Sequence, residues 1–347
     1  MPNQTAPSTP ATGAAAGPRI DGVLVRFGEI GIKSPPVRRQ MLERLRLNLL
    51  DQMLRASVEG DAKTMGSRLW LVGPKPAGLA QVACRTFGVV SVSPCQVVHA
   101  DLDAIGAAAA VFALDRPWTT FAVRATREGT HAFSSHEVQV SVGSAVWKAA
   151  EAAGRTPKVD LDQPDFEVFI DIRGERAYLF TDRLDGPGGI PVGSQGTVVA
   201  CLSDEASFVA AWLLMRRGCS LVPVHAGTTG SLDMDAVATL ASWGMPAEVH
   251  LFPVCSGSVS KATLLQAAGR VALERGLPAI ATGDTLDSAL GTPRLPVLRP
   301  LCGLLPAERE RWRKWMGLGP VVHESILDPA SAETVDTVMA MRRTVEP

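Results

Sequence analysis

Two rhythms of apolar and polar residues divide the chain, and they change at a glycine-proline stretch near residue 190. In the first part, Val23 to Phe27 is an apolar run closed by Gly28, which predicts a short strand. Pro35-Pro36 suits a first helical turn. Met41, Leu45, Leu49 and Leu50 then recur among Arg38, Arg39, Arg44 and Arg46, the spacing of an amphipathic helix. Leu69 to Val72 reads as another strand before Gly73-Pro74, so strand, helix and strand make a small α+β unit. A second unit follows. Phe87 to Val92 and Phe121 to Ala125 are expected strands, and Asp101 to Ala113 and Val138 to Ala153 expected helices. Phe166 to Ile172 alternates apolar and acidic positions and pairs as a hairpin with Ala177 to Thr181 across Arg173-Gly174-Glu175.

The stretch from Gly186 to Gly193 holds four glycines and two prolines in eight residues and can continue neither a helix nor a central strand. Beyond it, Thr197 to Leu202, Leu221 to His225, Glu248 to Pro253 and Ala279 to Thr282 read as buried strands. Phe208 to Arg217, Asp235 to Trp243 and Ala262 to Arg275 read as the helices between them. Such alternation predicts a parallel sheet covered on both faces.

Composition narrows the function classes. The chain has 347 residues, 46% apolar, which is enough for two or three cores. A net charge of −1 means that a nucleic-acid partner would have to be held by a local basic surface. Arg26, Lys33, Arg38 and Arg39 cluster at the end of the first strand and the start of the following helix, and Arg124 and Arg127 sit on or beyond a later strand. These six are the candidate phosphate contacts. With a single Tyr, base stacking is not expected to dominate, and recognition of a folded RNA by shape and backbone fits better. The six cysteines are far apart with no CxxC pair, which suggests reduced thiols in a cytosol and a cytoplasmic protein. The longest apolar run, Ile105 to Leu114, is too short to cross a bilayer, so no membrane partner is expected. The first 18 residues are uncharged and rich in Ala, Pro and Thr, as in a disordered tail. No histidine spacing suggests a metal site.

Several motifs occur in an order that resembles one family. Val25-Arg26-Phe27-Gly28-Glu29-Ile30-Gly31-Ile32-Lys33 looks like the opening signature of the tRNA 4-thiouridine synthases. Phe87 to Ser91, Phe121 to Ala125 with Arg127, Val159-Asp160-Leu161, Pro164-Asp165 and Ala177-Tyr178 resemble a THUMP domain. The Gly186 to Gly196 stretch, Thr282-Gly283-Asp284-Thr285-Leu286, and Leu295 to Gly303 with its Leu-Arg-Pro-Leu core match later family elements. The resemblance implies an α/β protein. Its parts would be a tail (1–19), a ferredoxin-like α+β domain (20–78), a THUMP RNA-binding domain (79–184), a Gly/Pro linker (185–196) and a doubly wound PP-loop domain (197–330). A C-terminal helix or tail would follow (331–347). It further implies tRNA as partner, with a sulfur-donor protein and a second copy of the chain as further candidates. ATP and Mg²⁺ would serve to adenylate a tRNA uridine, and a persulfide would then displace AMP to give 4-thiouridine.

The sequence departs from that family at two places. A PP-loop reads Ser-Gly-Gly-x-Asp-Ser, whereas the aligned stretch here is Ser203-Asp204-Glu205-Ala206-Ser207-Phe208. Both glycines have become carboxylates, which remove backbone freedom and set negative charge beside a triphosphate. They suit a helix N-terminus instead. His225, at the end of a strand, and Gly283 and Asp284 after another would face the same crevice, so the nucleotide-site candidates are Ser203, Asp204, Glu205, Ser207, His225, Gly283 and Asp284. The family also carries a cysteine late in its PP-loop domain, and here none follows Cys302. Cys255, before Ser256-Gly257-Ser258, is the remaining candidate for a reactive thiol, and Cys302 reads as a small core residue. Two readings follow: a tRNA-binding family member that has lost adenylation, or an active sulfurtransferase using ATP and a persulfide donor.

Overall fold

The apolar positions collect in four separate cores, two of them on opposite faces of one sheet. A computed structural model describes residues 17–253, 260–286, 288 and 295–318, and the backbone of 341–343. The chain divides into two compact units, one of residues 22–93 and 183 onward, the other of 94–182 with the residues before 22.

The first part of the larger unit is built on β1 (Gly22–Phe27), α1 (Pro35–Arg55), β2 (Asp61–Met65), β3 (Arg68–Val72) and α2 (Pro76–Cys84). β1 and β2 flank β3 in antiparallel register, with Leu24 opposite Trp70 and Ala62 opposite Leu71. α1 buries Met41, Leu42, Leu45, Leu49 and Met53, one stripe of its surface, against Leu69, Leu71 and Leu79. β4 (Val89–His99) is shared between the units, and Pro94 stands inside it. The sequence suggests a strand from Phe87 to Val92. The structure starts it two residues later and carries it seven further, because Phe87 turns into a core beside Trp212 and Trp243, at 5.1 and 5.6 Å between ring centroids. Gly88 makes that turn at φ +99°.

The smaller unit comprises α3 (Leu102–Leu114), β5 (Thr120–Glu128), α4 (Ser135–Ala152), β6 (Lys158–Val159), β7 (Phe166–Arg173) and β8 (Arg176–Phe180). β5 and β7 run parallel from Phe121 opposite Phe166 to Glu128 opposite Arg173, and β7 turns back into β8 as the alternating pattern predicts. Gln96 to His99 of β4 add an antiparallel edge to β8. Asp101 caps α3, its carboxylate accepting from Ala104 N–H at 2.8 Å, and Ser134 with Glu137 form a capping box on α4. Both helices cover the sheet, Ile105 of α3 and Val138, Val142 and Val146 of α4 sharing a core with Val168 and Ile170 of β7.

The rest of the larger unit opens with β9 (Leu184–Asp185), which pairs with Ser91 and Val92 of β4. The glycine-rich stretch after it is held at fixed points: Gly88 N–H donates to Gly188 O at 2.8 Å and Ile190 N–H to Arg216 O at 3.1 Å. A Cβ on Gly189 would lie 2.1 Å from Arg216 O, so only glycine fits there. Then come β10 (Thr197–Cys201), α5 (Glu205–Arg216), β11 (Ser220–Ala226), α6 (Met234–Ser242), β12 (Val249–Phe252), α7 (Lys261–Glu274), β13 (Ile280–Ala281), β14 (Val297–Leu298), α8 (Pro306–Met316) and β15 (Met341–Arg343). The sheet order is β14-β13-β10-β11-β12-β15, parallel except for β15. Val198, Ala200 and Leu221 face α5, α6 and α8, while Val199, Cys201, Val222 and Val224 face α7. This is the doubly wound sheet expected from the continuous apolar strands. Strand order reverses between β10 and β13, the place where such folds leave a crevice at the strand ends.

Candidate functional site

The crevice at the switch point is occupied by the chain's own groups. β10 leads through Leu202 into Ser203 and Asp204, and Asp204 is the N-cap of α5, its carboxylate accepting from Ser207 N–H at 2.8 Å. Ser207, buried, returns the bond: its Oγ accepts from Ser203 N–H at 2.9 Å and from Asp204 N–H at 3.1 Å, and donates to Asp204 O at 2.5 Å. Amides that a phosphate cradle would turn outward are therefore closed into a capping box. Glu205 points to α8, pairing with Arg313 Nε at 3.0 Å, and Arg313 is held in turn by both oxygens of Glu310 at 2.7 Å. Those contacts hold the Glu310 carboxyl low, at about 2, the Arg313 hydrogen bond contributing most. Gly283 closes the loop from the β13 side, where a Cβ would stand 2.4 Å from Ser207 N and 2.6 Å from Ala206 C. These residues do not fit ATP: the amides of Ser203, Asp204 and Ser207 are engaged, two carboxylates line the turn, and backbone lies against it.

The other nucleotide-site candidates meet at the same strand ends. His225, on β11, is buried, and its Nδ1 donates to Leu202 O at 2.7 Å while Nε2 lies 3.0 Å from Ser231 Oγ. Burial lowers its pKa, so the ring is a neutral structural strut between β10 and the turn after β11. Asp284 pairs with Lys261 Nζ at 2.8 Å and accepts from Thr282 Oγ1 at 2.9 Å. The structure thus gathers Ser203, Asp204, Glu205, Ser207, His225, Gly283 and Asp284 around one turn. Lys261 and Arg313, which complete the ion pairs, carried no motif in the sequence; the alternation of Arg and Glu in α8 was the one available signal. Burial pushes the Cys201 thiol up to about 12, with the Asp284 charge acting the same way, and burial also raises the Cys84 and Cys219 thiols. Cys302 Sγ lies 3.8 Å from Asp284 O. Cys255 lies outside the described residues. Among the described residues, no group of three or more His, Cys, Asp or Glu could hold a metal, and no helix is long and apolar enough to cross a membrane.

The basic candidates fall in both units. In the larger, Arg26 donates to Ser93 Oγ at 3.0 Å. Lys33, Arg38 and Arg39 sit where Pro35 opens α1; Arg38 donates to Lys33 O at 3.2 Å, and Arg38 and Arg39 are exposed. In the smaller unit, Arg124 is tied to Glu167 at 2.9 Å and to Leu161 O at 2.5 Å, which leaves it a structural role on β5. Arg127, three residues on, is exposed.

Comparison with known proteins places this arrangement. The THUMP domain family matches residues 100–182, the smaller unit from α3 onward. A Halobacterium salinarum protein named as a probable tRNA sulfurtransferase is 42% identical over 228 residues, 65% of this chain and 58% of its own, so the chain spans less than three fifths of that relative. A crystal structure of a 4-thiouridine synthetase bound to RNA and ATP shares the fold, with TM-score 0.71 and 23% identity over 86% of this chain and 85% of its own. A Pyrococcus horikoshii protein of solved structure superposes with TM-score 0.72 at 25% identity, covering 86% of this chain and all of its own. An Aeropyrum pernix protein, also named as a probable tRNA sulfurtransferase, is 32% identical across 88% of this chain and 85% of its own length. With that breadth of identity, a THUMP domain and the shared doubly wound fold, the chain belongs to the tRNA sulfurtransferase family.

Proposed function

We propose that this protein binds tRNA as a member of the tRNA thiolation family and has lost, or largely lost, the ATP-dependent adenylation of uridine. The observation that carries the reading is the capping box of Asp204 and Ser207, which engages the amides of the loop. Glu205, locked to Arg313, adds a carboxylate where a triphosphate would need none. A helix N-terminus with free amides attracts phosphate, and one already capped by carboxylates repels it. Membership of the family, the THUMP domain and the exposed cations Arg38, Arg39 and Arg127 support the RNA side of the reading. Its bound state would be a scaffold for tRNA, with sulfur chemistry supplied by another protein.

The test separates the two ligands. Calorimetric titration of the purified chain with ATP and Mg²⁺ should give no heat of binding, while a tRNA transcript should bind with an affinity that falls steeply with salt. ATP binding in the micromolar range, together with 4-thiouridine formed in that transcript by this protein and a persulfide donor, would establish the active enzyme instead.

A further inference from the structure

A second set of guanidinium groups gathers between the C-terminal end of α5 and the segment after β14. A cleft of about 480 Å³ is lined by Arg216, Arg217, Arg299, Trp312 and leucines of α5 and of the Leu298–Leu304 segment, with no acidic residue among them. At a rise of about 1.5 Å per residue, Arg216 lies roughly 16 Å along α5 from Glu205, while Leu298 and Arg299 on the other wall bond to Thr282 and Thr285, beside Asp284. Arg216 donates from Nε to Pro187 O at 2.7 Å and lies over the Trp312 ring at 4.8 Å; its two terminal nitrogens have no partner among the described residues. Arg299 donates from Nη2 to Thr285 O, and its buried Nε has no partner among the described residues. Arg217 is paired at the rim with Glu29 at 3.2 Å. Burial and the like charge of Arg217 both lower the Arg216 pKa, opposed by Glu29. Glu29 answers one of the three cations at the rim; the free donors of Arg216 and Arg299 beside apolar walls describe a site with room for a further anion. Trp312 already carries Arg216 and, at 5.3 Å, Arg311, so it fixes a guanidinium and leaves no evident face for a base.

We propose that this cleft binds the phosphate of a phosphate ester, gripped by Arg216 and Arg299 with Arg217 at the rim. Two sources share that chemistry, a phosphodiester of bound RNA and a free nucleotide. The RNA source rests on the tRNA reading above; the site itself does not. The full chain is treated with phenylglyoxal, and labelling of each arginine is mapped by mass spectrometry alone, with a tRNA transcript and with AMP. With ligand at ten times its Kd, labelling of Arg216 and Arg299 should fall about tenfold. Protection by tRNA alone assigns the RNA backbone, and protection by AMP assigns a mononucleotide. R216M keeps the stem on Trp312 and should weaken whichever ligand protects; for tRNA, the log–log salt slope becomes shallower by about one. If R299M fails to fold, R216M and the wild-type labelling decide. Labelling unchanged by either ligand, or R216M binding as tightly as the wild type, overturns the site. A mobility shift on the same samples keeps the two failures apart. tRNA that binds without protecting these arginines removes the site alone, and AMP protection without any tRNA shift removes the tRNA reading alone.

Discussion

Ser207 carries more of the loop than Asp204 does. Asp204 satisfies one N–H of the first turn, whereas the Ser207 hydroxyl satisfies two and is itself buried. D204A should cost about 0.5–2 kcal/mol, the usual loss of an N-cap. S207A leaves two amides without an acceptor at about 1–3 kcal/mol for a buried orphan, and should lower the urea midpoint further than D204A. An S207A midpoint equal to the wild type would mean that those amides find another partner. His225 gives a pH dependence. Its folded pKa lies below its unfolded value of about 6.5, so the unfolded chain binds the extra proton as pH falls through that value. Stability from this residue is therefore complete above pH 6.5 and declines below it, by at most about 1.4 kcal/mol per pH unit. In H225N the fall in thermal midpoint between pH 7.5 and 5.5 should be smaller than in the wild type. Equal falls in the two proteins would assign the pH dependence to other groups.

At the scale of elements, α8 acts as a brace on α5 that the sequence pattern hides. Among its side chains only Met316 is fully buried, and charged residues dominate its surface, so the run from Pro306 to Met316 gives little helical periodicity. The strands of the doubly wound sheet were legible for the opposite reason: both faces of β10 and β11 are covered, which demands the continuous apolar runs Thr197 to Leu202 and Leu221 to His225. α2 and β2 were missed, α2 because its nine residues include Pro76 and Gly78, poor markers of a helix, and β2 because it is an edge strand with one buried residue. The turn of Ser203 to Phe208 was legible as a cap, since carboxylates favour a first turn, yet its lock on Arg313 was not, since that contact spans more than a hundred residues. Trp212 sits at the centre of the brace, within 5.5 Å of Trp243, Trp312 and Trp315 between centroids. W212A should cost about 3–5 kcal/mol in chemical denaturation. A double-mutant cycle of E205Q and R313M should return a coupling of about 0.5–3 kcal/mol, and strict additivity would show the ion pair to be incidental.

For the molecule as a whole, affinity for a structured RNA has to come from local cations, since the net charge is −1. Arg124 and Arg127 were equivalent in the sequence, and the structure separates them. Arg124 is neutralised by Glu167 and bonded to Leu161 O, so its removal disturbs β5 more than it removes charge from a phosphate. Arg127 is exposed on the same strand, and Arg39 is exposed near the start of α1. Each exposed cation that meets a phosphate releases counterions, adding close to one unit to the slope of log affinity against log salt. R127A and R39A should therefore each weaken tRNA binding and flatten that slope by about one, while leaving the thermal midpoint unchanged. R124A should instead lower the midpoint of unfolding and change the slope little. Neither effect should respond to ATP and Mg²⁺, because the loop that would couple nucleotide to RNA is capped by its own side chains. If ATP tightens tRNA binding in the wild type, nucleotide and RNA are thermodynamically linked, and the capped loop must open in the complex.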